Sequence, residues 1–254
     1  MASTRYPQRV RNDLRFRELT VLRVERVSAG FQRIVLGGEA LEGFRSRGFD
    51  DHTKLFFPEP GAAFTPPQVT EEGIDWGEGV RPATRDYTPL YDAERHELAY
   101  DFYIHDGGIA SRWALEAKVG DKLVIGGPRG SLVVPEDYAW QLYVCDESGM
   151  PALRRRLLGL RQLPARPQVT AIVTIADASY KDYLADLDGF NIDWVVGHNP
   201  AFVAERLAQV KVPAEDYFIW LTGEGAVVKS LLARFEDESI DQQLVRSQAY
   251  WHSK

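Results

Sequence analysis

The pattern of apolar and turn residues changes near Pro135, and this change limits what the chain can fold into more than any other feature. Before it, short stretches that alternate in polarity or are rich in β-branched residues are separated by turn residues. Such stretches are typical of antiparallel strands in a barrel or sandwich. We predict strands at residues 19–28, 31–36, 53–57, 84–91, 97–104 and 122–125. The first half therefore indicates an antiparallel β-barrel domain, which we assign to residues 1–134.

One helix and one long loop interrupt the predicted strands. Ile109, Trp113 and Ala117 recur at four-residue spacing, which predicts a short amphipathic helix, and Ser111 can satisfy free amides near its start. Residues 58–82 are rich in proline, glycine and acidic residues and have no sustained periodicity. We predict a long surface loop there, which either covers a site or is merely attached to the barrel.

The second half alternates predicted strands with predicted helices. The strands are at residues 141–145, 168–175, 192–196 and 217–221, and the helices at 151–163, 180–187, 202–208 and 226–235. This alternation predicts a parallel sheet flanked by helices, so we assign residues 135–254 to an α/β domain. Ligands of such sheets bind at the carboxyl ends of strands, here residues 146–149, 176–177, 197–199 and 222–224. Helix starts there can offer amides to phosphate, although neither GxGxxG nor GxxxxGK[ST] is present.

Composition argues against several other classes of protein. The single cysteine, Cys145, cannot form an internal disulfide, and none of the five histidines lies three to five residues from another, so we expect no metal site. A formal charge of −7 argues against a nucleic-acid partner. Apolar runs fall far short of the ~20 residues that span a bilayer, and the first twenty residues are polar. We expect a cytoplasmic monomer with no integral membrane segment.

A set of motifs resembles one known family. The sequence Arg85-Asp86-Tyr87-Thr88 resembles the RxY[ST] flavin motif of the ferredoxin reductase superfamily. Other segments narrow the resemblance to the siderophore-interacting protein family of ferric-siderophore reductases. In chain order they are residues 101–105 (DFYIH), 110–114 (ASRWA), 120–123 (GDKL), 127–131 (GPRGS), 146–152 (DESGMPA), 220–224 (WLTGE) and 250–251 (YW). The chain departs from the family pattern at Leu90, Ile109 and Ala249.

The resemblance implies three groups of binding residues. The FAD site would contain Arg85, Tyr87, Thr88, Asp101, Phe102, Tyr103, His105, Ala110, Ser111 and Trp113. The nicotinamide-nucleotide site would contain Asp146, Glu147, Ser148, Thr222, Gly223 and Glu224. A basic pocket for the anionic iron complex would contain Lys54, Arg129 and Arg246. No side chain is given a catalytic role, because the flavin itself carries the electrons.

Several of these residue types suit the implied chemistry, and each also has a simpler explanation. An arginine such as Arg85 is a planar, permanently charged donor for a pyrophosphate, or forms a surface salt bridge. Tyr87 offers an aromatic face to a flavin ring and Thr88 a hydroxyl, or both are ordinary strand residues. Each member of the basic pocket can equally be a solvated surface charge.

We therefore hypothesise an FAD-dependent ferric-siderophore reductase that uses NADPH or NADH. NADPH is favoured because residues 154–156 (RRR) and Lys181 suit its extra phosphate, although a solvated helix face explains the arginines equally well. The chain also ends just past Tyr250-Trp251, without the C-terminal helix that the resemblance associates with NADH-using members. Two alternatives stay open: a flavin reductase that serves another acceptor, and a non-catalytic carrier of ferric siderophores.

Overall fold

The computed structural model describes residues 5–62, 64–78 and 80–253 of the 254-residue chain. It contains two compact units, one formed by residues 9–133 and the other by residues 134–253 together with residues 5–8. The N-terminal residues join the second unit because Arg5 pairs with Asp137 at 2.6 Å and the Tyr6 hydroxyl donates to Asp241 at 2.7 Å. No helix in these described ranges is long and apolar enough to cross a membrane.

The first unit is built from β-strands. In chain order they are β1 (Gln8–Arg11), β2 (Phe16–Arg26), β3 (Phe31–Gly37), β4 (Thr53–Phe57), β5 (Gln68–Thr70), β6 (Gly73–Asp75), β7 (Ala83–Tyr87), β8 (Leu90–Asp92), β9 (Glu97–Tyr103), β10 (Lys122–Gly126) and β11 (Gly130–Val133). The helix α1 (Ile109–Glu116) lies between β9 and β10. Seven strands form one antiparallel sheet in the order β7-β4-β10-β2-β3-β9-β8.

This sheet curls on itself. Its two edge strands, β7 and β8, are separated in sequence by Thr88 and Pro89 alone. A link of two residues can join opposite edges of a seven-stranded sheet if the sheet bends round until those edges are close. The predicted antiparallel barrel is therefore confirmed as a curled sheet, while the predicted strand 84–91 is divided because Pro89 cannot donate to a ladder.

Alternate residues of the strands form the core of the first unit. Leu19 and Val21 of β2, Ile34 and Leu36 of β3, and Phe102 of β9 are all buried in one apolar cluster. The helix α1 closes the cluster with Ala110 and Ala114, as the spacing of its apolar residues predicts. Buried Gln32 fixes the helix, because its amide donates to the Ala114 carbonyl at 2.6 Å.

The described residues between 58 and 82 are more ordered than the sequence indicates. They contain the short hairpin of β5 and β6, whose side chains are exposed. Trp76 packs against Phe56 of β4 and Phe16 of β2, with ring centroids 6.0 and 6.3 Å apart. Phe64 stacks on Phe56 at 5.5 Å. The predicted surface loop therefore contains two strands that the sequence did not reveal, because strands of three residues are too short to give a periodic signal.

The second unit is an α/β sandwich. Its strands are β12 (Trp140–Cys145), β13 (Gln168–Ile175), β14 (Asn191–Val196), β15 (Tyr217–Glu224) and β16 (Val245–Trp251), and its α-helices are α2 (Met150–Arg161), α3 (Pro200–Ala208) and α4 (Gly225–Leu232). The strand order is β14-β13-β12-β15-β16, and every pair is parallel. Counted from β12, this is the order 3-2-1-4-5 that is typical of dinucleotide-binding folds. The predicted parallel sheet is confirmed.

Two elements of the second unit differ from the prediction. The predicted helix at residues 180–187 is a 3-10 helix, Ala178–Leu184. The strand β16 was missed because most of its residues are polar or half-buried and give no apolar pattern at the sheet edge.

Candidate functional site

Three aromatic residues of the predicted FAD set lie in contact in the first unit. The rings of Tyr87 and Phe102 are 4.5 Å apart, and those of Phe102 and Trp113 are 5.7 Å apart. Phe102 is fully buried, whereas Tyr87 is partly exposed on the edge strand β7. Burial raises the pKa of the Tyr87 hydroxyl, so it stays protonated. Tyr87 therefore presents a neutral, supported ring at the rim of the core.

Arg85 lies on the same face of β7 as Tyr87, because the two are separated by one residue. Their partners in β4 are Leu55 and Thr53. The Arg85 guanidinium is exposed and donates to the Thr84 carbonyl at 2.7 Å. Within the described ranges no carboxylate pairs with it, so its charge is available to an anion. The adjoining Thr88 is buried at the turn into β8.

The start of α1 gathers a second part of the FAD set. Gly108 is the N-cap and provides no side-chain hydrogen bond. Ser111 does not cap the helix as predicted, because its buried hydroxyl donates to the Tyr103 carbonyl at 3.0 Å and accepts from the His105 amide at 3.2 Å. The exposed His105 ring stacks on Tyr103 at 5.6 Å. Buried Ala110 is in the first turn, where amide groups have no partner inside the helix.

Asp101 lies on the face of β9 opposite to Phe102. Neighbouring residues of a strand point to opposite faces, so Asp101 and Phe102 cannot line the same surface. Both Asp101 oxygens accept hydrogen bonds from Arg33, at 2.7 and 2.8 Å, and its side chain is fully buried. Arg33 is also its direct partner in the β3–β9 register. The structure gives Asp101 the role of an ion-pair partner within the sheet.

These features fit a large aromatic cofactor that carries phosphates. Tyr87 supplies an aromatic face, Arg85 an exposed planar cation, and the start of α1 amides without a side-chain cap. Gly107, just before the helix, has a positive φ of 77° and open space where a side chain would begin. FAD requires the same combination of ring contact and pyrophosphate binding.

Sequence reasoning missed Arg17. Its side chain lies on the core face of β2, is 5% exposed, and has an Nε atom without a hydrogen-bond partner in the described part of the chain. The guanidinium lies over the Phe44 ring at 5.5 Å, and burial lowers its pKa. The sequence could have revealed Arg17. Arg17, Leu19 and Val21 alternate with the polar residues Glu18 and Thr20, and a cation at a position that this pattern predicts to be buried is unusual.

The predicted basic residues have different surroundings. Lys54 pairs with Asp86 at 2.8 Å, on the face of β4 opposite to Leu55, and both side chains are about half exposed. Arg129 is exposed after β10, and no carboxylate pairs with it among the residues described here. Arg246 lies on β16 in the second unit, where it donates to the Gln248 side chain at 2.6 Å.

The predicted nucleotide residues meet at the carboxyl edge of the second sheet. Asp146 follows β12 and Gly223 lies at the end of β15, so they flank the point where the strand order reverses. The Asp146 carboxylate accepts from the Ser148 amide at 2.9 Å and from the Trp251 indole at 2.8 Å. Gly223 has a φ of 138°, and a Cβ there would lie 2.7 Å from Asp146. Buried Thr222 donates to a β16 carbonyl at 2.8 Å.

Side chains of the protein cap several of the turns and helix starts at this edge, although α2 has no side-chain cap. Four residues accept hydrogen bonds from amides in the first turns that follow them: Asp146, Asp177, Asn199 and Glu224. Each of these side chains satisfies one amide of its turn, and Gly149, the N-cap of α2, provides no side-chain hydrogen bond, so the expectation that helix starts here offer amides to phosphate stays a prediction. Glu224 also accepts from the Ser253 amide at 3.2 Å, and the hydrogen bonds lower its pKa.

Glu147 is buried, and its partners could not be predicted. One carboxylate oxygen accepts from the Ala176 amide at 2.6 Å, and the two oxygens lie 2.9 and 3.0 Å from Nε2 of His198. Sequence reasoning placed His198 in the strand-end segment 197–199 but gave it no role in a site. It follows β14, two strands away from β12, so only the order of strands brings it to Glu147.

A cavity of about 180 Å³ opens at the same edge. Apolar side chains from β12, α3 and α4 form much of its wall, and the polar lining includes Asp146, His198, Thr222, Glu224 and Trp251. Its position beyond the carboxyl ends of the strands is the usual ligand position in this fold.

Two arginines expected to favour NADPH are occupied elsewhere. Arg154 forms a two-point ion pair with Asp186, at 2.6 and 2.7 Å. Arg156 is buried and donates to the Tyr143 hydroxyl at 2.7 Å and to the Val134 carbonyl at 3.1 Å. The prediction that these two serve a phosphate was wrong, because helix α2 turns them toward its own unit.

Comparisons with known proteins agree over the whole chain. Family models match for the siderophore-interacting FAD-binding domain at residues 20–132 and for the siderophore-interacting protein at residues 138–254. The NADPH-dependent ferric-chelate reductase of Escherichia coli K12 is 71% identical over 250 residues, which cover 98% of each chain. Ferric vibriobactin reductase ViuB of Vibrio cholerae is 29% identical over 84% of this chain and 80% of its own.

Solved structures give the same result. The crystal structure of a siderophore utilization protein from T. fusca has a TM-score of 0.84 and 30% identity, covering 97% of this chain and 96% of that chain. The siderophore-interacting protein SipS from Aeromonas hydrophila has a TM-score of 0.73 and 26% identity, covering 94% and 92%. The chain therefore belongs to the siderophore-interacting protein family, as its motifs predicted.

Proposed function

We propose that this protein is an FAD-dependent ferric-siderophore reductase that takes its electrons from NADPH. The observation that carries the proposal is the 71% identity, over 98% of both chains, to a protein named as an NADPH-dependent ferric-chelate reductase. The curled sheet and the 3-2-1-4-5 parallel sheet support it, since they supply one unit for a flavin and one for a dinucleotide. The proposed division is residues 1–134 for FAD and 135–254 for the nucleotide.

Particular side chains of the first unit would hold FAD. Tyr87 would contact the ring system, while Arg85 and the amides at the start of α1 would bind the phosphates. When bound, FAD accepts electron pairs and releases single electrons, which is the conversion that iron reduction needs. The protein contributes position and electrostatics. The ferric ion arrives as substrate, and its reduction weakens its complex with hard oxygen ligands.

The basic residues Lys54, Arg129 and Arg246 would attract an anionic iron complex. The pairing of Lys54 with Asp86 favours a second candidate, a flavin reductase for another acceptor, because it neutralises one of these cations. A cytoplasmic location and a monomeric state complete the proposal.

An anaerobic absorbance experiment tests the proposal. NADPH or NADH is added to FAD-loaded protein, and a ferric siderophore with an Fe(II) chelator follows. We expect NADPH to bleach the oxidised flavin band and the siderophore to restore it, with capture of Fe(II). A protein that binds no FAD would refute the proposal and favour the non-catalytic carrier.

Variants separate the reductase from the second candidate. Lys54→Gln and Arg129→Gln should raise the KM for a ferric siderophore and leave bleaching by NADPH unchanged. Lys122→Gln is a matched control, since this exposed lysine donates to Thr20 on β2. Equal siderophore turnover in all three variants would favour the flavin reductase.

A further inference from the structure

The cavity at the carboxyl edge of the second sheet is poor in groups that bind phosphate. Its ionisable lining residues are Cys145, Asp146, His198 and Glu224. Asp146 and Glu224 carry negative charge and repel a phosphate. Cys145 is a buried thiol whose pKa is raised, first by burial, so it is neutral. Among the described lining residues, His198 is the side chain that can carry positive charge.

Side chains of the protein already occupy some of the helix-start amides around the cavity. In many nucleotide-binding folds a phosphate binds the free amides of a helix N-terminus. Here Asp146, Asn199 and Glu224 already accept from such amides around the cavity, at 2.9, 3.0 and 3.0 Å. Each of these side chains occupies one amide, and the uncapped start of α2 does not line the cavity, so a cationic donor outside the helix starts would strengthen phosphate binding here.

His198 has the geometry of such a donor. Its Nε2 atom is held by Glu147 at 2.9 and 3.0 Å, and Nδ1 has no hydrogen-bond partner in the part of the chain that the structure describes. The His198 side chain is 52% exposed, whereas that of Glu147 is 3% exposed. A protonated imidazole donates from both nitrogens, so it can bridge a buried carboxylate and a phosphate.

Glu147 is fixed independently of the histidine. Its Oε1 atom also accepts from the Ala176 amide at 2.6 Å, at the end of β13. A carboxylate anchored to the backbone in this way holds the ring of His198 at the mouth of the cavity.

We propose that His198 binds a phosphate group of the nicotinamide nucleotide and that Glu147 positions it. The inference rests on the proposed function, since it needs a dinucleotide in this cavity. The phosphate is either the pyrophosphate, which both dinucleotides carry, or the 2′-phosphate of the NADP form.

Isothermal titration of the full-length, FAD-loaded protein with NADP⁺ and with NAD⁺ tests the proposal. His198→Gln keeps an amide donor for Glu147 and removes the second ring nitrogen that would donate to a phosphate. We expect it to raise the Kd for NADP⁺ about tenfold or more, as for a hydrogen bond to a charged group. An equal loss for NAD⁺ identifies the pyrophosphate, and a loss confined to NADP⁺ identifies the 2′-phosphate. His96→Gln, in the other unit, is the control.

In a second variant, the direction of the change in dinucleotide affinity decides whether Glu147 positions His198 or only repels the phosphate. Glu147→Gln removes a negative charge, so it would tighten binding if the carboxylate simply repelled the phosphate. If Glu147 positions His198, binding weakens instead, by about threefold or more. Unchanged affinity in His198→Gln, or tighter binding in Glu147→Gln, overturns the inference while leaving the proposed function intact. A parent protein that binds neither dinucleotide overturns the nicotinamide part of the proposed function as well.

Discussion

Replacing Arg33 by methionine should markedly destabilise the first unit. The Asp101 side chain is fully buried, with both oxygens hydrogen-bonded to Arg33 at 2.7 and 2.8 Å. Removing one partner of a buried ion pair leaves an uncompensated charge and typically costs about 3–5 kcal/mol. Because Arg33 is 25% exposed, water can partly replace it. We therefore expect the free energy of unfolding to fall by an amount near the lower end of this range, about 3 kcal/mol.

Urea unfolding of the full chain, followed by circular dichroism, measures this loss. Hydrogen exchange of β3 and β9 peptides assigns it to the first unit, because the two units can unfold separately. Adding Asp101→Leu to the Arg33→Met variant should recover most of the stability, since it removes the stranded charge.

Arg17→Met is the matched control, in the neighbouring strand β2. Arg17 is buried without a carboxylate partner in the described residues, so its removal should leave apo-protein stability unchanged or raise it. A fall of less than about 1 kcal/mol in the free energy of unfolding of Arg33→Met would refute the reasoning, because solvent-exposed ion pairs contribute that little.

Three further predictions concern exposed or partly exposed groups. Tyr87→Ala should raise the Kd for FAD about three- to tenfold and Tyr87→Phe should not, as quenching of flavin fluorescence would reveal. Asp86→Asn frees Lys54 from a pair worth about 0.2–1 kcal/mol, so the KM for an anionic ferric siderophore should fall about 1.4- to 5-fold at low salt. Equal KM values at low salt would contradict this. The pKa of Glu224 is lowered, first by the Val227 amide, so its contribution to stability is complete above the unfolded value and is lost as pH falls below about 4.3. The urea midpoint of Glu224→Gln should therefore fall less steeply with decreasing pH than that of the parent protein. Parallel curves of midpoint against pH would argue against a stabilising role of Glu224 as the cap of α4.

The sequence by itself determined the two kinds of unit. A short stretch bounded by turn residues predicts β4 at residues 53–57, and an eight-residue apolar-rich run predicts β13 at residues 168–175, as the structure has them. The motif at residues 85–88 and its companions also identified the family. Such signals are local, since each depends on residues that are close in the chain.

The tertiary structure decided the partners of the charged residues. Arg33 and Asp101 are 68 residues apart, Glu147 and His198 are 51 apart, and Asp146 and Trp251 are 105 apart. The first pair depends on strand register, because a slip of one residue would turn Asp101 to the other face. The others depend on the order of strands, which sets whose carboxyl ends meet. Periodicity in one stretch of chain encodes neither register nor order, so the pairing of His198 with Glu147 is known only once the sheet is assembled.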